Sequence, residues 1–205
     1  MSPPILNFVR WYPVISLILA SALFSVCSVI YNYYKVDSHI PITLTAVHHL
    51  GSDYRISEYY VDKFGGNSVN ERGYSGIICC RMLPRNWTYG LRANVRWEVR
   101  HIITSPDPAT PKTEEVVGIY QAQVPVEKYF KPDRLWVHFF PKGRVRLVVS
   151  PDDSDSENHP TFPNDEQAAA RGTIGTANDT LFTEEEITAF TQDTSAQRKK
   201  SGGWR

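Results

Sequence analysis

The sequence predicts a mainly β protein: an antiparallel β-sandwich or small barrel of about seven strands over residues 40–150, preceded by one transmembrane helix and followed by a largely disordered tail. Three observations predict it. Leu91 to Arg100 alternates without a break, with Leu91, Ala93, Val95, Trp97 and Val99 apolar and Arg92, Asn94, Arg96, Glu98 and Arg100 polar. A period of two puts one set on each face of an extended strand, one buried and one wet. Similar short runs follow one another with turn chemistry between them, as at Pro84-Arg85-Asn86 with Gly90 and at Pro141-Lys142-Gly143, the pattern of a sandwich or barrel. Finally, Val14 to Tyr34 holds no charged residue.

That uncharged run would reach about 31 Å as a helix, which matches a hydrocarbon core. Trp11 and Tyr12 before it and Tyr31, Tyr33 and Tyr34 at its end are placed as interfacial aromatic belts. The retained anchor is the favoured reading. A cleaved signal would end sooner at a small-x-small site, and lipidation at Cys27 would call for Leu-small-small where Phe24-Ser25-Val26 stand, with apolar residues continuing beyond. The amine and Arg10 outweigh Lys35 by one charge, so residues 1–13 are expected in the cytoplasm and the bulk of the chain beyond the membrane.

The formal net charge of zero hides a partition: Lys+Arg against Asp+Glu is 15 to 10 over residues 41–150 and 5 to 11 over 151–205. The basic residues are spread over several strands rather than gathered into a block, which argues against nucleic-acid binding.

In chain order, Ile42, Leu44 and Ala46 alternate with Thr43, Thr45 and Val47 as a first strand, and a turn at Gly51-Ser52-Asp53 leads to a second over Ile56 to Val61. Lys63 to Asn67, with two glycines, reads as a bent loop that fits neither a Walker nor a dinucleotide pattern. Gly76 to Leu83 and Leu91 to Arg100 form the central hairpin. Three prolines make residues 104–112 a loop, and Val116 to Val124 is a strand. Pro125 to Phe130 is expected as a short helical turn. Leu135 to Phe140 is an unbroken apolar strand to be covered on both faces, and Arg144 to Val149 alternates again. Beyond Ser150 the composition turns to Asp, Ser, Asn, Pro and Gly. Asp152 to Glu157 lacks the glycine and distal glutamate of a calcium loop, so residues 151–205 read as an acidic flexible tail. Within it Thr183-Glu184-Glu185-Glu186 is a capping box, with Phe182 able to staple to Ile187, for a short helix near 184–192.

Chemistry-bearing residues are sparse. Cys79 and Cys80 are neighbours on a strand, which sets one thiol inward and one outward; in an oxidising compartment they could instead close a vicinal disulfide, and a paired reactive-thiol role is the third reading. No spaced Cys/His quartet exists, and His48-His49 cannot both face one metal from a strand, so a rim or turn role with one ring hydrogen-bonded is expected and no metal or cofactor. His138, inside the apolar strand, reads as a satisfied buried histidine. Trp87, Trp97, Tyr120, Trp136 and Phe139 read as packing. No GxSxG, HExxH or Cys/His/Asn set points to an enzyme, and no catalytic residue is assigned.

The order of T-L-T-A-V-H-H, G-G-N, I-I-C-C-R-M-L-P-R-N-W, G-L-R-A-N-V-R-W and V-H-F-F-P-K-G-R-V-R-L-V-V-S over about residues 40–151 resembles the bacterial domain-of-unknown-function family 3304. That resemblance implies a membrane-associated immunity protein of the kind found beside lipase-type effectors of type VI secretion. It also implies a single-pass protein of the bacterial inner membrane, anchored through Val14 to Tyr34 with its C-terminal domain in the periplasm. The expected partner is a lipase-type effector. The contact surfaces that fit are the loops carrying Asp53, Arg55, Lys63 and Asn67 and the strand face of Arg92, Arg96 and Arg100. The alternatives are an envelope structural or small-ligand-binding protein and, less favoured, an enzyme using Cys80 or His48.

Overall fold

The computed structural model describes residues 13–36, 38–70, 73–107, 109 and 111–200, with side chains in the two terminal helices described over 17–31 and 184–192. Helix α1 spans Pro13–Val36. Two residues later the chain enters a sandwich of two five-stranded sheets. Sheet A runs in the order β4 (Ile78–Pro84), β1 (His39–His48), β7 (Leu135–Phe140), β8 (Arg144–Val149), β9 (Thr173–Ile174). Sheet B runs β10 (Thr176–Asn178), β6 (Thr113–Pro125), β5 (Arg92–Ile103), β2 (Tyr54–Val61), β3 (Phe64–Val69). All pairings are antiparallel except β1 with β7, which run parallel. The sheets do not close into a barrel.

The alternation read from Leu91 to Arg100 sets the core. Ala93, Val95, Trp97 and Val99 are buried, and the polar residues between them face out. The register places Tyr59, Trp97 and Tyr120 in one row across sheet B. Trp97 stacks on Tyr120 at 5.4 Å and lies 5.5 Å from Phe139 of the opposite sheet, while Tyr59 meets Phe139 edge-on at 5.6 Å. A buried aromatic lattice of this kind ties the two sheets through one residue, Phe139.

The middle of sheet A is buried on both faces: every residue of β7 is buried. The cover is the segment after Ser150, and here the expectation of a largely disordered tail is corrected. Ser154, His159, Thr161 and Ala168 are buried against sheet A. The segment folds as successive tight turns, Ser156 to Asp153, His159 to Ser156, Phe162 to His159 and Asn164 to Thr161. A short helix α2 (Glu166–Ala170) follows, whose cap Asp165 accepts from the Ala168 amide at 2.9 Å. Arg146, 3% exposed, is held by both Glu127 carboxylate oxygens at 2.7 and 2.9 Å and donates to the Ala168 carbonyl at 3.2 Å. Gly175 turns the chain from sheet A into sheet B, so β9 and β10 each finish one sheet. A Cβ there would stand 2.6 Å from the Trp97 ring, which is why the corner is glycine.

Three further expectations are revised. Lys63 to Asn67 is part of a hairpin, β2–β3, rather than an open loop. Pro125 to Phe130 is not helical: the Val126 amide donates to Leu91 and the Glu127 amide to Leu147, which holds the segment extended. The helix at the C-terminus, α3, runs Glu184–Lys200, longer than 184–192. Its capping box is formed as read, with Glu186 N donating to Thr183 Oγ1 at 3.2 Å and Thr183 N to Glu186 Oε2 at 3.0 Å.

The span read at 14–34 is helical. Yet among the described residues no helix is long and apolar enough to cross a membrane. Residues 17–31, where side chains are described, rise only about 22 Å. Of the expected cytoplasmic segment, residues 1–12 lie outside the described residues.

Candidate functional site

Strand β1 has two ends with different character. At its start, the Arg85 amide donates to Ser38 O at 2.6 Å, which puts the β4–β5 loop beside the end of α1. At its finish, about 30 Å away at the rise of a strand, His48 and His49 meet the β7–β8 turn and α2. There a cleft of about 440 Å³ is lined by His49, Phe140, Lys142, Arg144, Asn164 and Asp165, among others. Its rim carries both signs of charge. Lys142 (φ 62°) and Asn164 (φ 63°) adopt left-handed backbone. The Asn164 amide donates to Ser154 O at 2.7 Å, and its Oδ1 is buried with no partner.

Behind the cleft lies a chain of three imidazoles. His49 Nε2 is 3.0 Å from His138 Nδ1, His138 Nε2 is 3.0 Å from His159 Nε2, and His159 Nδ1 is 3.0 Å from the Asp152 carbonyl. A carbonyl only accepts, so His159 carries its proton on Nδ1 and accepts at Nε2. His138 must then donate from Nε2 and accept at Nδ1, and His49 donates from Nε2. The whole chain of tautomers is therefore set by one carbonyl, and the bare nitrogen left over is His49 Nδ1, which makes no hydrogen bond among the described residues. His48 is fixed separately: its Nδ1 accepts from the Leu50 amide at 3.3 Å, so Nε2 donates to Asn70 O at 2.9 Å.

Burial keeps these rings neutral. Desolvation, with repulsion from His48 and His159, lowers His49 to about 4, and desolvation pushes His138 well below the ordinary histidine range. His48 and His159 are lowered for the same first reason, His159 less firmly because the Asp152 carbonyl and nearby carboxylates favour its charged form. A proton can enter only at His49 Nδ1 and, by passing along the chain, settle at His159. Beyond His159 the path is closed by a carbonyl, so a proton taken up at His49 Nδ1 can leave only by the same route. Among the described residues no cluster of His, Cys, Asp or Glu is arranged to hold a metal ion.

The residues read as partner contacts fall in three places. Asp53 is exposed at the cleft end of the sandwich, in the turn before β2. Arg55 and Arg100, directly opposite each other on β2 and β5, share Glu114, at 2.7 and 3.8 Å, and Arg100 also holds Glu98 at 2.7 Å. Arg92 donates to Gln123 O at 3.2 Å. Arg96 is clasped by the C-terminal segment: it donates to both Glu186 carboxylate oxygens and to Leu181 O, and its guanidinium lies 4.7 Å over the Phe182 ring. That ion pair drops Glu186 to about 2. Lys63 joins Arg96 at a second cleft, about 590 Å³, between sheet B and α3. Asn67 pairs with Tyr59 in the β2–β3 hairpin. Arg55, Arg96 and Arg100 thus meet the chain's own carboxylates, while Arg92 is bound to a carbonyl. Cys79 and Cys80 are paired with each other as a vicinal disulfide, and Cys27 is a free thiol on α1.

His138 and His159 were not legible as a site from spacing, since 21 and 89 residues separate the hydrogen-bonded pairs. The one signal was a histidine inside an otherwise apolar strand.

Fold and cleft together define a β-sandwich domain with a polar cleft at one end and a helix at the other. Residues 51–147 match the model of a family described as "Protein of unknown function (DUF3304)", which supports the resemblance read from the same stretch. The match takes in β2 to β7 and most of β8 and leaves out α1, β1 and the covering segment. No curated protein and no solved structure matches the chain.

Proposed function

We propose that this protein is a membrane-tethered binding protein: α1 holds it in a bacterial inner membrane, the sandwich stands on the periplasmic side, and a protein partner docks at the cleft end. The observation that carries this reading is the placement of α1 and the His49 cleft at opposite ends of β1. A partner arriving from solution would meet the cleft first, and a tether would raise the local concentration of the binder at the bilayer surface. The uncharged run 14–34 lies within one helix, and its apolar side chains Leu17, Ile18, Leu23, Phe24 and Val29 are exposed around it among the described residues. Its serines Ser21, Ser25 and Ser28 return their hydroxyl protons to carbonyls one turn back, which suits a helix in lipid. The Cys79 and Cys80 pairing fits an oxidising compartment.

The family resemblance implies a lipase-type effector as the partner, hence an immunity protein. The test is coexpression with a lipase-type effector from the same organism. The full chain should restore growth and co-purify with the lipase from membranes, and Lys142→Asp, which reverses a rim charge and keeps a residue tolerant of left-handed backbone, should weaken both. Lipid hydrolysis by the purified protein, or growth rescue without binding, would overturn the reading. A small-ligand-binding role is favoured by one observation, the cleft volume together with the unpartnered Asn164 Oδ1.

A further inference from the structure

We propose that the end of the sandwich nearest α1 is itself a membrane-contacting surface, in which Tyr89 and Phe130 enter the headgroup layer and Arg85, Lys128 and Lys131 face anionic headgroups; this rests on the reading of α1 as the anchor. Tyr89 is 97% exposed and Phe130 95%, the two most exposed large apolar side chains among the described residues. Neither sits on a loose loop. The β4–β5 and β6–β7 loops are bonded to each other: Trp87 Nε1 to Val126 O at 2.9 Å, Val126 N to Leu91 O at 2.9 Å, and Tyr129 OH to Pro84 O at 2.6 Å. The aromatics are therefore presented outward by a braced platform, at the cost of keeping bare rings in water.

The same platform is bound to the segment that follows α1, through Arg85 N and Ser38 O. Only residues 37 and 38 separate α1 from β1, and the three steps from Val36 to His39 reach at most about 11 Å. With α1 in the bilayer, the loops cannot stand clear of its surface. Arg85, Lys128 and Lys131 are exposed on them, and Lys128 lies 5.8 Å over the Phe130 ring. The acidic side chains at this end are Asp133, which accepts from the Arg134 amide at 2.8 Å, Glu127, which is taken by Arg146, and Asp153, which is taken by Arg134 at 2.9 Å. Exposed aromatics mixed with basic residues are what a membrane interface favours. Each basic group near an anionic surface adds about fivefold to affinity.

The experiment uses the full chain with Cys27→Ser, reconstituted in vesicles of phosphatidylcholine and phosphatidylglycerol. A polarity-sensitive fluorophore is attached at Tyr89→Cys, Phe130→Cys or, at the far end, Gln167→Cys. A headgroup-region spin-labelled lipid should quench the labels at 89 and 130 several-fold more than that at 167. The excess should fall when Arg85, Lys128 and Lys131 are replaced by Gln. Equal, weak quenching at all three sites in protein that still floats with the vesicles overturns this inference and leaves the anchor standing. Protein that fails to float overturns both. Labels that are shielded only as protein density in the membrane rises, without lipid quenching, would assign the surface to a second copy and overturn the lipid contact.

Discussion

Acidification from pH 7.5 to pH 5 should destabilise this fold through the histidine chain. In the unfolded chain His49 titrates near 6.5, and in the fold it is lowered to about 4. Between those values the unfolded state binds more protons, so stability falls as pH falls through the window and is complete above it. The two values give a loss of about 2 kcal/mol by pH 5 and about 3 kcal/mol by pH 4. His48, His138 and His159 are lowered too and act in the same direction. The Glu186 carboxylate, lowered to about 2, loses its advantage only below about pH 4.5, so the two effects separate on the pH axis. The assay is urea unfolding of the full chain in detergent at half-unit intervals. His49→Gln keeps an N–H for His138 Nδ1 and removes the titrating ring, so its profile should be flatter than that of the parent by about 2 kcal/mol at pH 5. A parent profile that is level between pH 7.5 and 5, or an unchanged slope in His49→Gln, would refute the reasoning.

Glu127→Gln leaves the buried Arg146 guanidinium without its carboxylate and should cost about 3 kcal/mol by urea unfolding, whereas Glu127→Leu with Arg146→Met should recover most of the loss. Gly175→Ala drives a methyl to 2.6 Å from Trp97 and should cost about 1–3 kcal/mol, read as a lowered Tm with a changed near-ultraviolet tryptophan signal. Thr183→Ala removes the hydroxyl that caps α3 and should cost about 1 kcal/mol, with faster amide exchange confined to residues 184–192.

Most strands were legible because their periodicity is the imprint of a face. Arg144–Val149 matches the strand read from alternation, and Leu91 to Arg100 differs from β5 only at its ends. The double-sided burial of Leu135–Phe140 was legible as well, since an unbroken apolar run requires cover on both sides. What supplies that cover was not. The covering residues are polar and held by hydrogen bonds, His159 and Thr161 to His138 of sheet A and Ser154 to Tyr74, so hydropathy marks their segment as loose. The histidine chain escaped for the same reason: its members are joined by direction of donor and acceptor, which spacing along the chain does not encode. The arginines of β5 were legible as an outward row, but the Glu186 that holds Arg96 and the Glu114 that Arg100 shares with Arg55 come from α3 and β6, and only the fold brings those near.

Since β9 and β10 are consecutive and complete opposite sheets, any shortened version of the protein that stops near Ser150 would strip both layers at once. The outer backbones of β8 and β6 would then be open templates for neighbouring chains. A compositional boundary placed there, which looks like the natural place to cut, would produce an aggregating fragment in place of a minimal domain.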